Sequence, residues 1–97
     1  MAYVLTAALE GGEGFAIFID RRPLVDFNSD GESDPMDFRP GEHSLTYEVR
    51  GAGAKLTLDL SDHPSIILPV GAEWPFEIKV PNHRTLVADR LYFTIGG

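Results

Sequence analysis

The chain has 97 residues, of which 43% are hydrophobic, and this size and composition predict a single folded domain over residues 1–97. Its net charge of −7 excludes nucleic acid and anionic membranes as favoured partners, because a surface of that sign repels phosphate groups and favours cations. The chain has no cysteine, so disulfides and thiolate zinc sites are excluded as well.

The N-terminal ten residues form only a short apolar run with no basic residue ahead of it, and their first charged side chain is Glu10. This pattern predicts neither a signal peptide nor a transmembrane segment. We therefore expect a chain that is cytoplasmic, exported without a leader, or excised from a longer protein.

Apolar and polar residues alternate along the chain, as is typical of half-buried antiparallel strands. The predicted strands are residues 14–20, 43–50, 54–60, 74–80 and 91–95, and shorter apolar runs at 4–9, 65–68 and 85–88 would add to them. Pro75 has no N–H donor, so we expect its strand at a sheet edge. The run Gly51-Ala52-Gly53 predicts a tight hairpin between two strands.

These elements predict an all-β chain with seven to nine short strands and no long helical period. The strands read as one small antiparallel β-sandwich, immunoglobulin-like or jelly-roll-like. In residues 43–50, for example, Leu45, Tyr47 and Val49 are expected to face the core together.

The acidic segment at residues 26–37 is the strongest chemical signal in the sequence. Side-chain oxygens stand at segment positions 1, 3, 5, 9 and 12, with glycine at position 6, where a sharp turn is expected. Calcium takes roughly six to eight oxygen ligands, so several such groups must converge on one point. The predicted ligands are Asp26, Asn28, Asp30, Asp34 and Asp37, with Glu32 contributing its backbone carbonyl.

This segment resembles the calcium loops of dockerin modules, thrombospondin type 3 repeats and integrin-type propeller blades, which share the pattern D-x-[DN]-x-D-G. The resemblance covers the twelve residues 26–37 and implies side-chain ligation by Asp26, Asn28, Asp30 and Asp34, with Asp37 closing the site. It implies none of those folds. The alternative interpretation is a solvated acidic turn, since Asp, Asn, Ser and Gly are all good turn formers.

The histidines show no spacing that is typical of a metal site: His43, His63 and His83 are twenty residues apart. Asp62 and His63 stand beside Ser61, but no G-x-S-x-G motif accompanies them, and neighbouring strand residues point to opposite faces. We therefore predict that the protein is not an enzyme.

Aromatic residues suggest a further binding mode. Trp74, Tyr92 and Tyr3 would form a platform for sugar rings, although the alternation of Trp74 with Phe76 and Ile78 favours a core position for Trp74. Tyr92, between two core-facing residues, is the better candidate for an exposed aromatic.

A weaker resemblance links residues 15–60 to small sandwich modules of the PEGA type. The segments that carry it are Phe18-Ile19-Asp20, Pro40-Gly41-Glu42-His43 and the strand at 47–51. The resemblance implies an accessory or envelope-associated role rather than catalysis.

The sequence thus predicts a non-catalytic, calcium-binding β-sandwich with a structural or binding role. Two alternatives remain open: a metal-independent module whose edge strand or exposed face docks a protein, and a carbohydrate-binding module. Their partners would be a protein or a glycan, respectively.

Overall fold

A computed structural model describes residues 2–24 and 30–96 of the chain, and its regular secondary structure is entirely β. Strands of three or more residues are β2 (Leu5–Glu10), β3 (Gly14–Ile19), β7 (Gly41–Arg50), β8 (Lys55–Leu60), β9 (Ile66–Leu68), β10 (Phe76–Lys79) and β11 (Leu86–Ile95). Two-residue strands are β1 (Ala2–Tyr3), β4 (Arg22–Pro23), β5 (Gly31–Glu32) and β6 (Met36–Asp37). Within these described ranges, no helix is long and apolar enough to cross a bilayer.

Nearly all the strands belong to two antiparallel sheets. The four-stranded sheet has the order β10-β8-β2-β5, and the five-stranded sheet has the order β4-β3-β7-β11-β9. The short strands β1 and β6 form a separate pair, with Ala2 opposite Asp37. As Pro75 indicated, β10 is an edge strand.

The core lies between the inner faces of the two sheets. Alternate residues of β3, β7 and β11 are buried, and so are alternate residues of β2 and β8. They form one hydrophobic cluster whose largest fully buried side chain is Phe93. The prediction of an all-β sandwich is confirmed, and so is the common inward face of Leu45, Tyr47 and Val49.

The predicted hairpin at residues 51–53 is wrong. Strand β7 lies in the five-stranded sheet and β8 lies in the four-stranded sheet, so residues 51–53 carry the chain across the sandwich. The amide of Gly51 donates to the carbonyl of Thr85 at 2.9 Å, which continues the β7–β11 pairing into the crossing. A Cβ atom on Gly51 would stand 2.4 Å from the Cα of Gly12, so only glycine fits here.

Candidate functional site

The first half of the predicted calcium loop lies outside the described residues, because Asp26 and Asn28 fall within residues 25–29. The second half begins at Asp30 and runs along the edge of the four-stranded sheet as β5. The structure therefore locates four of the six predicted site residues: Asp30, Glu32, Asp34 and Asp37.

Side-chain oxygens from this segment accept hydrogen bonds from backbone amides on the outer edge of β2. The Oδ1 atom of Asp30 accepts a hydrogen bond from the Leu9 amide at 2.7 Å, and the Oγ atom of Ser33 accepts one from the Leu5 amide at 2.9 Å. In return, the Ser33 amide donates to the Leu5 carbonyl at 2.8 Å. Because β5 has only two residues, these side chains extend the hydrogen-bonded edge beyond the strand itself.

The described acidic residues lie along extended chain rather than around one point. Glu32 is opposite Thr6 in the pairing of β5 with β2, and Asp37 is opposite Ala2 in the separate β1–β6 pair. Gly31 lies within β5 at a φ of 157°, so the sharp turn expected there is not at this residue. Among residues 2–24 and 30–96, no three His, Asp or Glu side chains are grouped so as to hold a metal ion.

The histidines and the serine that the sequence offered as candidate catalytic residues do not come together in the structure. His63 Nε2 lies 2.9 Å from Asp59 Oδ1, but this contact lacks the geometry of a hydrogen bond. Ser61 Oγ accepts a hydrogen bond from the Val4 amide at 2.9 Å, so it has a structural role at the end of β2. His43 lies in β7 and contacts neither of them; its own partners are Asp20 and Arg39.

The aromatic platform does not form around Trp74. Its side chain is buried in the core, where its ring packs edge-on against Phe93, and its Nε1 atom donates to the Pro64 carbonyl at 2.7 Å. Tyr92 points to the opposite face of its sheet, where its hydroxyl lies 3.3 Å from Arg90 Nη1. A single half-buried tyrosine is a small surface for a sugar ring, so the glycan hypothesis gains no support.

An open strand edge lies elsewhere, on the first half of β11. Peptide groups along a strand face its two neighbours alternately. The Thr94 amide donates to Ser65 on the β9 side at 2.9 Å, so Ala88 and Leu86, at even spacings from it, face the same side. Because β9 pairs with β11 only at Tyr92 and Phe93, no strand in the described ranges covers residues 86–90 there.

Exposed apolar side chains lie on β9, on the residues after it and at the start of β11. Val70 is 87% exposed and Leu68 is 48% exposed, and Leu86 and Ile67 are exposed at 43% and 39%. Leu68 is opposite Tyr92, so the chain that follows it leaves β9 next to the uncovered part of β11. We call the outer side of residues 86–90, together with Ile67, Leu68 and Val70, the β11 edge.

Basic side chains surround the β11 edge in a chain that is acidic overall. Arg84 and Arg90 are exposed at the two ends of the uncovered stretch, and Arg50 is opposite Leu86. Arg50 lies only loosely against Glu48, at 3.8 Å. Two acids lie in the same stretch: Asp89, whose Oδ1 accepts the Arg90 amide at 2.8 Å, and Glu48, which is opposite Ala88. Three arginines against these two acids leave a small positive excess, which favours a negatively charged partner.

Comparison with known proteins adds no family or relative. The chain matches no protein-family model, no curated protein sequence and no solved structure.

The sequence contains an indication of the β11 edge that the alternation of apolar and polar residues did not reveal. Residues 66–72 read Ile-Ile-Leu-Pro-Val-Gly-Ala and contain no polar side chain. A run of that kind is expected to be buried, but β9 ends after three residues and the following residues are exposed. An exposed apolar run that follows the short neighbour of a partly uncovered strand is typical of a contact surface.

Proposed function

We propose that this chain is a non-catalytic binding module that docks an extended segment of a partner protein along the β11 edge. The observation that supports the proposal most is the uncovered side of residues 86–90, where no strand of the described residues lies next to the backbone groups of Leu86 and Ala88. An added strand would satisfy these groups, and this is how edge strands commonly bind extended peptides.

Side chains give the partner its expected chemistry. Val70 and Leu68 offer apolar contact at one end of the edge, so the docking segment should carry apolar residues at alternate positions. Arg84 and Arg90 favour an acidic residue between or beside them. We therefore expect an extended peptide in which apolar and acidic residues alternate.

The test uses a displayed library of random nine-residue peptides, followed by affinity measurements with variants of the full chain. Ala88→Pro removes one outward N–H group, whereas Ala88→Thr keeps it and suits a strand. Loss of one backbone hydrogen bond, at about 1 kcal/mol, should weaken binding roughly five- to tenfold in the proline variant alone. Val70→Asp should also weaken binding and should leave the unfolding temperature unchanged, because this side chain is largely exposed.

Nuclear magnetic resonance then locates the peptide. The expected result is that the amide signals of Leu86 and Ala88 shift and become protected from hydrogen exchange. The proposal is overturned if no peptide is enriched, if enriched peptides bind Ala88→Pro as tightly as Ala88→Thr, or if the shifts map elsewhere. A dimer that forms with concentration and protects the same amides would assign the edge to a second copy of the chain instead.

Calcium binding by residues 26–37 is a second proposal, supported by the spacing of oxygen ligands and by the fixed position of one of them. The hydrogen bond from the Leu9 amide holds Asp30 at the sheet edge, and such a bond orients a carboxylate without neutralising it. Its test is the unfolding temperature in calcium and in chelator, which should differ in the wild type and differ much less in Asp30→Asn.

A further inference from the structure

Both ends of the stretch that contains the acidic segment meet at one imidazole ring. Asp20 immediately precedes this stretch, residues 21–38, and Arg39 immediately follows it. The ring belongs to His43, near the start of β7. Its Nδ1 atom lies 2.5 Å from Asp20 Oδ2, and its Nε2 atom lies 2.7 Å from the carbonyl oxygen of Arg39. One side chain therefore bridges the two ends of an eighteen-residue stretch.

The two contacts together specify the charge of the ring. An ionised carboxylate and a backbone carbonyl are both acceptors, and neither can donate a hydrogen bond. A neutral imidazole has a single N–H group and would leave its second nitrogen lone pair against an oxygen. Only the imidazolium form, which donates from both nitrogens, satisfies Asp20 and Arg39 at once.

The surroundings hold the ring in this position. His43 packs between Phe38 and Phe93, at centroid distances of 5.1 Å and 5.6 Å, and only 13% of its side chain is exposed. The Asp20 carboxylate is held in turn, since its Oδ1 accepts the Ser44 amide at 3.0 Å. Asp20 also has a φ of 50°, a conformation that costs energy for a residue other than glycine and persists when contacts enforce it.

The charged groups near the ring come from each element packed around it. Asp20 lies on the β3–β4 turn and Arg22 lies in β4, while Asp37 lies in β6 and Arg39 follows it. All four line a pocket of ≈ 480 Å³ beside His43. Glu42 precedes the ring on β7, and β11 contributes the uncharged Phe93. The Asp20 side chain bonds directly to the imidazole.

Burial by itself lowers the pKa of His43, but the hydrogen bonds to the Arg39 carbonyl and to the Asp20 carboxylate outweigh it, so the pKa lies above the ordinary 6.5. A histidine whose folded-state pKa is raised stabilises the fold fully below its unfolded pKa. That contribution is lost as the pH rises through the folded-state pKa. The bridge is therefore closed in mild acid and weakened in mild base.

We propose that His43 is a proton-dependent clip that holds Asp20 and Arg39 together and opens at the Arg39 end when the ring loses a proton. The remaining proton should stay on Nδ1, because a hydrogen bond to a carboxylate is stronger than one to a neutral carbonyl. The Nε2 lone pair then faces the Arg39 oxygen, and the repulsion separates them. This inference goes beyond the proposed docking function and does not depend on it.

The test is a pH titration of the isotopically labelled full chain, followed by the nitrogen signals of its histidine rings. We expect His43 to titrate above 6.5, with its neutral form protonated on Nδ1. Amide signals of Phe38, Arg39 and Gly41 should shift with the same midpoint, while the Ser44 amide shifts less. Asp20→Asn should lower the His43 midpoint, whereas Asp62→Asn, at another acidic residue of positive φ, should not change it.

Three outcomes overturn the clip. They are a His43 midpoint at or below 6.5, a neutral ring protonated on Nε2, and a His43 titration that leaves the amide signals of residues 38–41 unshifted. The wild-type titration alone decides among these results, so the test holds even if Asp20→Asn fails to fold.

Discussion

Asp30 offers two roles that substitution can separate, namely an acceptor at the sheet edge and a calcium ligand. Its Oδ1 atom accepts the Leu9 amide at 2.7 Å, in an exposed setting where water can replace a lost acceptor. A charge-assisted bond contributes about 1.5–3 kcal/mol, and exposure reduces the loss to about 1 kcal/mol. Asp30→Ala should therefore lower the unfolding temperature by roughly 4–8 °C in a chain of this length, without any metal. Asp30→Asn keeps a neutral acceptor and should lose less.

Calcium binding would raise the stability of the folded state in addition to the contribution of this hydrogen bond. A ligand at a hundred times its dissociation constant stabilises the folded state by about 2.7 kcal/mol, which corresponds to a rise of roughly 11–22 °C in the unfolding temperature. Asp30→Asn should remove most of that rise, because it removes a charged ligand but keeps the edge acceptor. Glu73→Gln, which removes the same charge from an exposed position outside the acidic segment, should retain it.

Differential scanning calorimetry with calcium, with magnesium at equal ionic strength, and with chelator makes the comparison. A wild-type unfolding temperature that is the same in excess calcium and in chelator would refute the calcium site. An equal calcium response in Asp30→Asn and wild type would remove Asp30 from the ligand set. Equal stability of Asp30→Ala and wild type in chelator would refute the role at the sheet edge.

Three further substitutions test the fold in the same calorimetric assay. Gly51→Ala would place a Cβ atom 2.4 Å from the Cα of Gly12 and should lower the free energy of unfolding by about 3 kcal/mol or more. Gly11 also has a positive φ but lies in open space, so Gly11→Ala should lower it by only about 1–2 kcal/mol. Equal losses of stability in the two variants would contradict the close approach of Gly51 to Gly12. Phe93→Ala empties the largest fully buried position and should cost about 3–5 kcal/mol, so a loss under 1 kcal/mol would contradict its place in the core. Ser33→Ala removes the acceptor of a β2 amide and should cost about 1 kcal/mol; no loss would show that water replaces it fully.

The faces of the main strands follow from the sequence because burial alternates locally. A shift of one residue would turn the apolar set of β7 or β8 to solvent, so Leu45, Tyr47 and Val49 fix their own orientation. The strands β1, β4, β5 and β6 have only two residues each, too few for a periodic pattern to show. Strand β11 joins the predicted runs at 85–88 and 91–95 through the polar Asp89 and Arg90.

Features that depend on which strands become neighbours could not be predicted from the local pattern of apolar and polar residues. The glycines at 51–53 suit a hairpin as well as a crossing, and the approach of Gly51 to Gly12 decides the matter from a distant part of the chain. The acidic segment was identified by spacing, but the sequence cannot show that Asp30 and Ser33 lie against β2. The His43 bridge joins residues 20, 39 and 43 and was missed, because no spacing rule covers a ring shared by two loop ends.

The sheet edges of this chain differ in how they are protected from pairing with another strand, and the difference supports a docking role for one of them. Unpaired edges invite unwanted pairing, and proteins usually blunt them with charge, proline or a covering segment. The outer side of β10 carries Glu77 and Lys79 and follows Pro75, and the outer side of β2 is covered by residues 30–33. The β11 edge also carries charge, at Asp89 and Arg90, but it places Leu86 and Ala88 on the uncovered strand and has exposed apolar side chains on β9 and at Val70. A chain that protects two other edges and leaves apolar groups along this one has a surface suited to an added strand.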